Sequence, residues 1–177
     1  MVRIVSVVGH KNAGKTTLVE RLVRELTARG YRVGTIKHDA HDFEIDHEGK
    51  DSWRHARAGA ATVVIASAAK VAMVKRVREQ LDLWELAGRF FEDVDIVIAE
   101  GYKRGSAPKI EVRREGSEPL CQPEELLAVV GEASARERVA RFHPDETERL
   151  ADLVQERFLK CEDGGRDQIS QHKKGKA

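Results

Sequence analysis

Apolar residues follow two different rhythms at the start of the chain. A β-branched run over 3–8 stops at Gly9 and predicts a strand; from 16 to 29, Leu18, Val19, Leu22, Val23 and Leu26 return at helical spacing. Gly30 follows as a natural helix stop, and 32–37 reads as a second strand. Together these form a βαβ unit with parallel strands and a right-handed crossover, the second strand expected beside the first. Residues 38–50 have few apolar positions and read as a long loop, a kind of segment that usually carries function. A short helix is predicted over 52–59, and strands over 61–67 and 71–77 pair as a hairpin around Ala68-Ala69-Lys70. Residues 81–91 repeat at helical spacing through Leu83, Trp84, Leu86, Ala87, Phe90 and Phe91. The run 95–99 is almost wholly apolar, as in a strand buried on both faces, and 126–130 is similar. Residues 109–113 alternate, and Pro144-Asp145 is expected to open a last helix through 158. Strands alternating with helices predict a mostly parallel α/β sheet covered by helices. The folded domain is expected over 1–159, with 160–177 a polar, disordered tail.

Composition narrows what this domain does. With 31 Lys and Arg against 30 Asp and Glu, the net charge is +1, which gives no general reason to expect nucleic acid or an anionic membrane as partner. No window approaches the roughly 18 apolar residues of a membrane span. The apolar start is too short for a secretory signal core and runs straight into a glycine loop. Two cysteines, Cys121 and Cys161, sit in no CxxC spacing, so the expected compartment is the reducing cytoplasm.

The chemistry concentrates at Gly9-His10-Lys11-Asn12-Ala13-Gly14-Lys15-Thr16, which fits GxxxxGK[ST] and lies between the first strand and the first helix. In that context the backbone N–H groups and the helix start cradle phosphates. Lys15 reaches the β- and γ-phosphates, the Thr16 hydroxyl ligates Mg²⁺, and Thr17 meets the α-phosphate. This site predicts a three-layer, P-loop NTPase-like fold. Such a site needs a further carboxylate at the end of a neighbouring strand. Glu100 follows the apolar run and precedes Gly101, so it is the second candidate metal residue; Asp95, about 17 Å away at strand rise, is expected to be a cap.

The loop from Lys37 to Ser52 gathers three of the seven histidines and a run of carboxylates. Three roles stay open for it. Asp42, Asp46 or Asp51 position water or the outer shell of Mg²⁺; His38, His41 and His47 hold a transition metal; or the loop is a solvated charged face. Asp42 and Asp46 are the catalytic candidates, while Lys50, Asp51 and Ser52 are candidate phosphate or substrate contacts. Asn12 is the sole asparagine, so the NKxD guanine motif is absent. The loop around Gly131-Glu132, after a buried strand late in the fold, is the better-placed candidate for reading the base than Ser67-Ala68.

Taken in order, Gly9 to Thr17, Lys37-His38, His41-Asp42-Phe43, Gly49-Lys50-Asp51-Ser52, Ala58-Gly59-Ala60 and Glu100-Gly101-Tyr102-Lys103 resemble the MobB family, the molybdopterin-guanine dinucleotide biosynthesis adapters. The resemblance covers about 1–115. It implies a homodimeric P-loop protein that binds GTP and Mg²⁺, hydrolyses GTP weakly and assists the MobA-type guanylyltransferase that attaches GMP to molybdopterin. Carried over by position, it implies the loop from Gly9 to Thr17 for the nucleotide, with Thr16 and Glu100 at Mg²⁺. With no glutamine placed near the phosphate loop or the Glu100 turn, and no arginine finger, turnover is expected to be slow. A small-molecule phosphotransferase and a metallochaperone GTPase are the alternatives.

Overall fold

The computed structural model describes residues 2–39, 43–132 and 138–160. His41, Asp42 and, beyond its first residue, the tail expected over 160–177 therefore lie outside the described residues. Six strands form one sheet in the order β2-β5-β1-β6-β7-β8: β1 (Ile4–Gly9), β2 (Val33–Lys37), β5 (Ile96–Glu100), β6 (Lys109–Arg113), β7 (Leu126–Gly131) and β8 (Ala140–Phe142). Every pairing in it is parallel. A separate antiparallel hairpin joins β3 (Thr62–Ala66) to β4 (Val71–Lys75).

The helices are α1 (Lys15–Ala28), α2 (Asp51–Arg57), α3 (Leu83–Phe90) and α4 (Thr147–Val154), the last running into a π-helical turn, Gln155–Leu159. On one sheet face, Leu18, Leu22 and Leu26 of α1 and Leu150 and Val154 of α4 pack on Val5, Val7, Ile98 and Ile110. Arg29 ties the two helices, reaching Glu25, Asp152 and Gln155 at 2.7–3.0 Å. On the other face, Leu83 and Ala87 of α3 cover Ile4, Val97 and Ala99. Asp82 caps α3: its side chain accepts from the Glu85 N–H at 2.8 Å while Glu85 accepts from the Asp82 N–H at 3.0 Å.

Three expectations need correction. β2 does not lie beside β1: β5 fills the position between them, pairing Val7 with Glu100 on one side and Lys37 with Glu100 on the other. A βαβ crossover fixes parallel direction and hand, while the most apolar strand, β5, takes the centre. β6 does not alternate between buried and exposed; all five residues are buried because β1 and β7 flank it and the segment 114–125 covers its polar face. Its charges are paired there: Lys109 with Glu125 at 2.7 Å and Arg113 with Glu111 at 2.9 Å. Lastly, Pro144-Asp145 does not start α4. The Glu146 N–H bonds the His143 carbonyl at 2.9 Å, so Pro144 occupies a turn and the helix begins at Thr147.

β8 had no sequence signal, being only three residues long. The remaining elements fall within a few residues of the hydrophobic pattern.

Candidate functional site

The loop between β1 and α1 is shaped by residues that tolerate unusual backbone. Gly14 adopts φ 100, in the left-handed region, and Asn12 adopts φ 61. A Cβ on Gly9 would lie 2.6 Å from the Val112 carbonyl, so only glycine lets the loop leave β1 this close to β6. No side chain caps α1 and its first turn holds no acidic residue. The first N–H groups of that helix therefore face the loop without an intrahelical acceptor, as an anion site requires.

Lys15 arches back across this loop, its Nζ donating to the carbonyls of Gly9 at 3.1 Å and His10 at 2.8 Å. The imidazole of His10 meets the Glu118 carbonyl at 3.0 Å and ties the loop to the segment after β6. Across 84 residues of sequence, the Thr16 hydroxyl reaches both oxygens of Glu100, at 3.0 and 3.1 Å. This contact follows from topology: β5 lies directly beside β1, so the ends of both strands open on the start of α1. A hydroxyl and a carboxylate held together beside a helix start are a hard-oxygen donor pair that suits Mg²⁺.

Other sequence-chosen residues are placed elsewhere. Lys50, Asp51 and Ser52 sit at the start of α2, with Asp51 3.8 Å from Arg54. Asp46 accepts from the His47 N–H at 2.9 Å. Among the described residues, no hydrogen bond or ion pair joins Asp46 or 50–52 to the phosphate loop, and no three His, Cys, Asp or Glu converge as a metal centre. His38 instead packs edge-on against Tyr102 at 4.9 Å and contacts Gln80 at 3.1 Å. Its backbone N–H bonds the Glu100 carbonyl at 2.9 Å, so a glutamine does come close to the Glu100 turn through His38. Sequence distance concealed it. Burial, with Glu111 nearby, pushes the Cys121 thiol up to about 11, which leaves it protonated and a poor metal ligand at neutral pH.

The structure also reveals a cavity of about 580 Å³ beside the loop, between α1 and the ends of β6, β7 and β8. Gly14, Thr17 and Arg21 line one side; Glu132, His143 and Asp145 line the other. Of its far wall, only Gly131-Glu132 was legible beforehand, because the rest depends on strand order.

Residues 4–132 match the MobB family, described as molybdopterin guanine dinucleotide synthesis protein B. The chain is 38% identical over 129 residues to the molybdopterin-guanine dinucleotide biosynthesis adapter protein of Haemophilus influenzae, covering 72% of each chain. It is 35% identical over 163 residues to the protein of the same name from Escherichia coli, covering 88% of this chain and 93% of that one. The crystal structure of Bacillus subtilis MobB superposes with a TM-score of 0.73 at 27% identity, over 89% of this chain and 99% of that one.

Proposed function

Because the chain belongs to the MobB family, we propose that it is a cytoplasmic adapter that binds GTP with Mg²⁺ and assists a MobA-type guanylyltransferase in joining GMP to molybdopterin. The observation that carries the nucleotide reading is the contact of Thr16 with Glu100 at the mouth of a phosphate loop. In this reading the loop from Gly9 to Thr17 holds the phosphates, Lys15 supplies the mobile positive charge, and Thr16 with Glu100 holds the cation. Bound Mg²⁺ would neutralise phosphate charge. The chain's own part is to orient the phosphates and fix the two oxygen ligands.

The test is calorimetric titration of the full chain with GTP, ATP and GDP, with and without Mg²⁺. Saturable binding of Mg²⁺–GTP at one site per chain is expected; no binding would overturn the reading. Hydrolysis is expected to fall below the ordinary enzyme range of about 1–10³ s⁻¹. Glu100→Gln is expected to weaken binding in Mg²⁺ by about tenfold and to leave binding without Mg²⁺ unchanged, since it removes a charged cation ligand only. Equal losses in both conditions would deny Glu100 its metal role.

The β3–β4 hairpin supports a homodimer. Val71 is 69% exposed, Val64 55% and Ile65 53%, and the cross-strand partners Val64 and Met73 share a face. A two-stranded hairpin with apolar side chains in water is marginal alone, and a second copy would cover it. Sedimentation is expected to show a dimer, converted to monomer by Val64→Glu with Met73→Glu, which sets like charges opposite each other. A monomeric parent chain would remove this part of the proposal.

A further inference from the structure

We infer that Glu132 reads the purine base, selecting guanine over adenine, in the cavity beside the phosphate loop. The inference rests on the nucleotide reading above and extends it to a residue and a specificity. With phosphates on the loop and Thr17 at the α-phosphate end, the nucleoside must leave the loop on one side. The Thr16–Glu100 pair occupies the β5 side. The cavity lies on the opposite side, and its volume of about 580 Å³ falls within the range of small-molecule sites. β7 is two strands from β1, about 10 Å at ordinary strand spacing, so its end lies a nucleoside's length from the phosphates.

Three carboxylates line this cavity, Glu115, Glu132 and Asp145. Glu115 sits in the turn closed by the Ser117 N–H on the Arg114 carbonyl at 3.1 Å, whereas Glu132 directly follows β7 and is placed to accept hydrogen bonds from a base. Asp145 is already engaged by Arg21 at 3.3 Å and faces His143 at 3.4 Å. Arg21 also donates to the Pro144 carbonyl at 2.8 Å, so that contact serves as a wall joining α1 to the loop after β8. Glu132, by contrast, is exposed; among the described residues it takes one long bond, 3.4 Å from the Gly116 N–H. Its position is set by Gly131, which adopts φ 100 and whose Cβ would sit 2.1 Å from the Arg113 carbonyl. Only glycine allows β7 to turn out this tightly across the end of β6, and the next residue is then delivered to the cavity.

The chemistry selects the base. Guanine offers adjacent N1–H and N2–H donors, which a carboxylate's two oxygens accept together. Adenine has an acceptor at N1, which would face the carboxylate lone pairs. Xanthine carries a carbonyl in place of the 2-amino group, so an amide at position 132 would suit it.

The experiment compares GTP, ATP and XTP binding, all with Mg²⁺, in the full chain and in Glu132→Gln, with Asp145→Asn as the control for a change of carboxylate at the cavity rim. The parent is expected to favour GTP. Glu132→Gln should lose about 100-fold in GTP affinity, gain in XTP affinity and keep ATP affinity within about threefold, because two charge-assisted bonds are lost from one base only. Asp145→Asn should preserve the GTP to ATP ratio. An unchanged ratio in Glu132→Gln, or equal loss of GTP and ATP, overturns the assignment while Lys15-dependent nucleotide binding stands. A parent chain that binds none of the three overturns both readings.

Discussion

Replacing Lys15 with alanine is expected to lower Mg²⁺–GTP affinity by about 10²–10⁴-fold, to the limit of calorimetric detection. Two charge-assisted hydrogen bonds at about 1.5–3 kcal/mol each account for a loss of this size. In the described structure the ammonium group is parked on the carbonyls of Gly9 and His10, at 3.1 and 2.8 Å, above the place where phosphate oxygens would take over those bonds. Its position is also informative in energetic terms. Lys15 is the first residue of α1, where a positive charge opposes the helix dipole and alanine is the better helix former. The substitution should therefore leave the melting temperature unchanged or slightly raised. Loss of binding together with retained stability separates a ligand role from a structural one. Affinity within threefold of the parent would refute the phosphate-loop assignment.

The parts of the site legible in the sequence were those whose cause is local. Gly9 to Thr16, between a β-branched run and an amphipathic helix, declares its backbone shape within eight residues, and Glu100 closes an apolar run that can only be a buried strand. What was not legible depends on which strands become neighbours. The phosphate-loop strand pairs with β5 and β6 and not with β2, and hydrophobic periodicity is the same for either arrangement. The cavity beside Thr17 is assembled from α1 and three strand ends, one of them the three-residue β8, so no single stretch carries its signal. The charges of β6 misled for a related reason. Lys109, Glu111 and Arg113 follow the pattern of a half-exposed strand, yet the segment 114–125 folds over them and pairs them.

That buried polar face leads to the largest stability effect expected in the chain. Glu111 is wholly buried on β6; it accepts from Arg113 at 2.9 Å and from the Leu120 N–H at 2.7 Å. Glu111→Ala removes a counter-charge of the buried Arg113 guanidinium and the acceptor of a half-buried N–H, so chemical denaturation should show a loss of about 3–5 kcal/mol. Against a typical total of about 5–15 kcal/mol, this brings the domain close to unfolding. Replacing both charges, as in Glu111→Leu with Arg113→Leu, should recover part of the loss, because the buried carboxylate and guanidinium leave the sheet together. A single variant that costs under 1 kcal/mol would show that the pair is dispensable. The Cys121 thiol supplies an independent reading. Its pKa is raised first by burial and next by Glu111, so alkylation in the folded single variant should begin at lower pH than in the parent. The consequence extends to the phosphate loop. Glu111 fixes Leu120, and two residues earlier the Glu118 carbonyl meets His10 at 3.0 Å. Releasing that segment loosens the loop's outer tether, so the surviving folded fraction of Glu111→Ala should bind Mg²⁺–GTP more weakly although position 111 touches no phosphate.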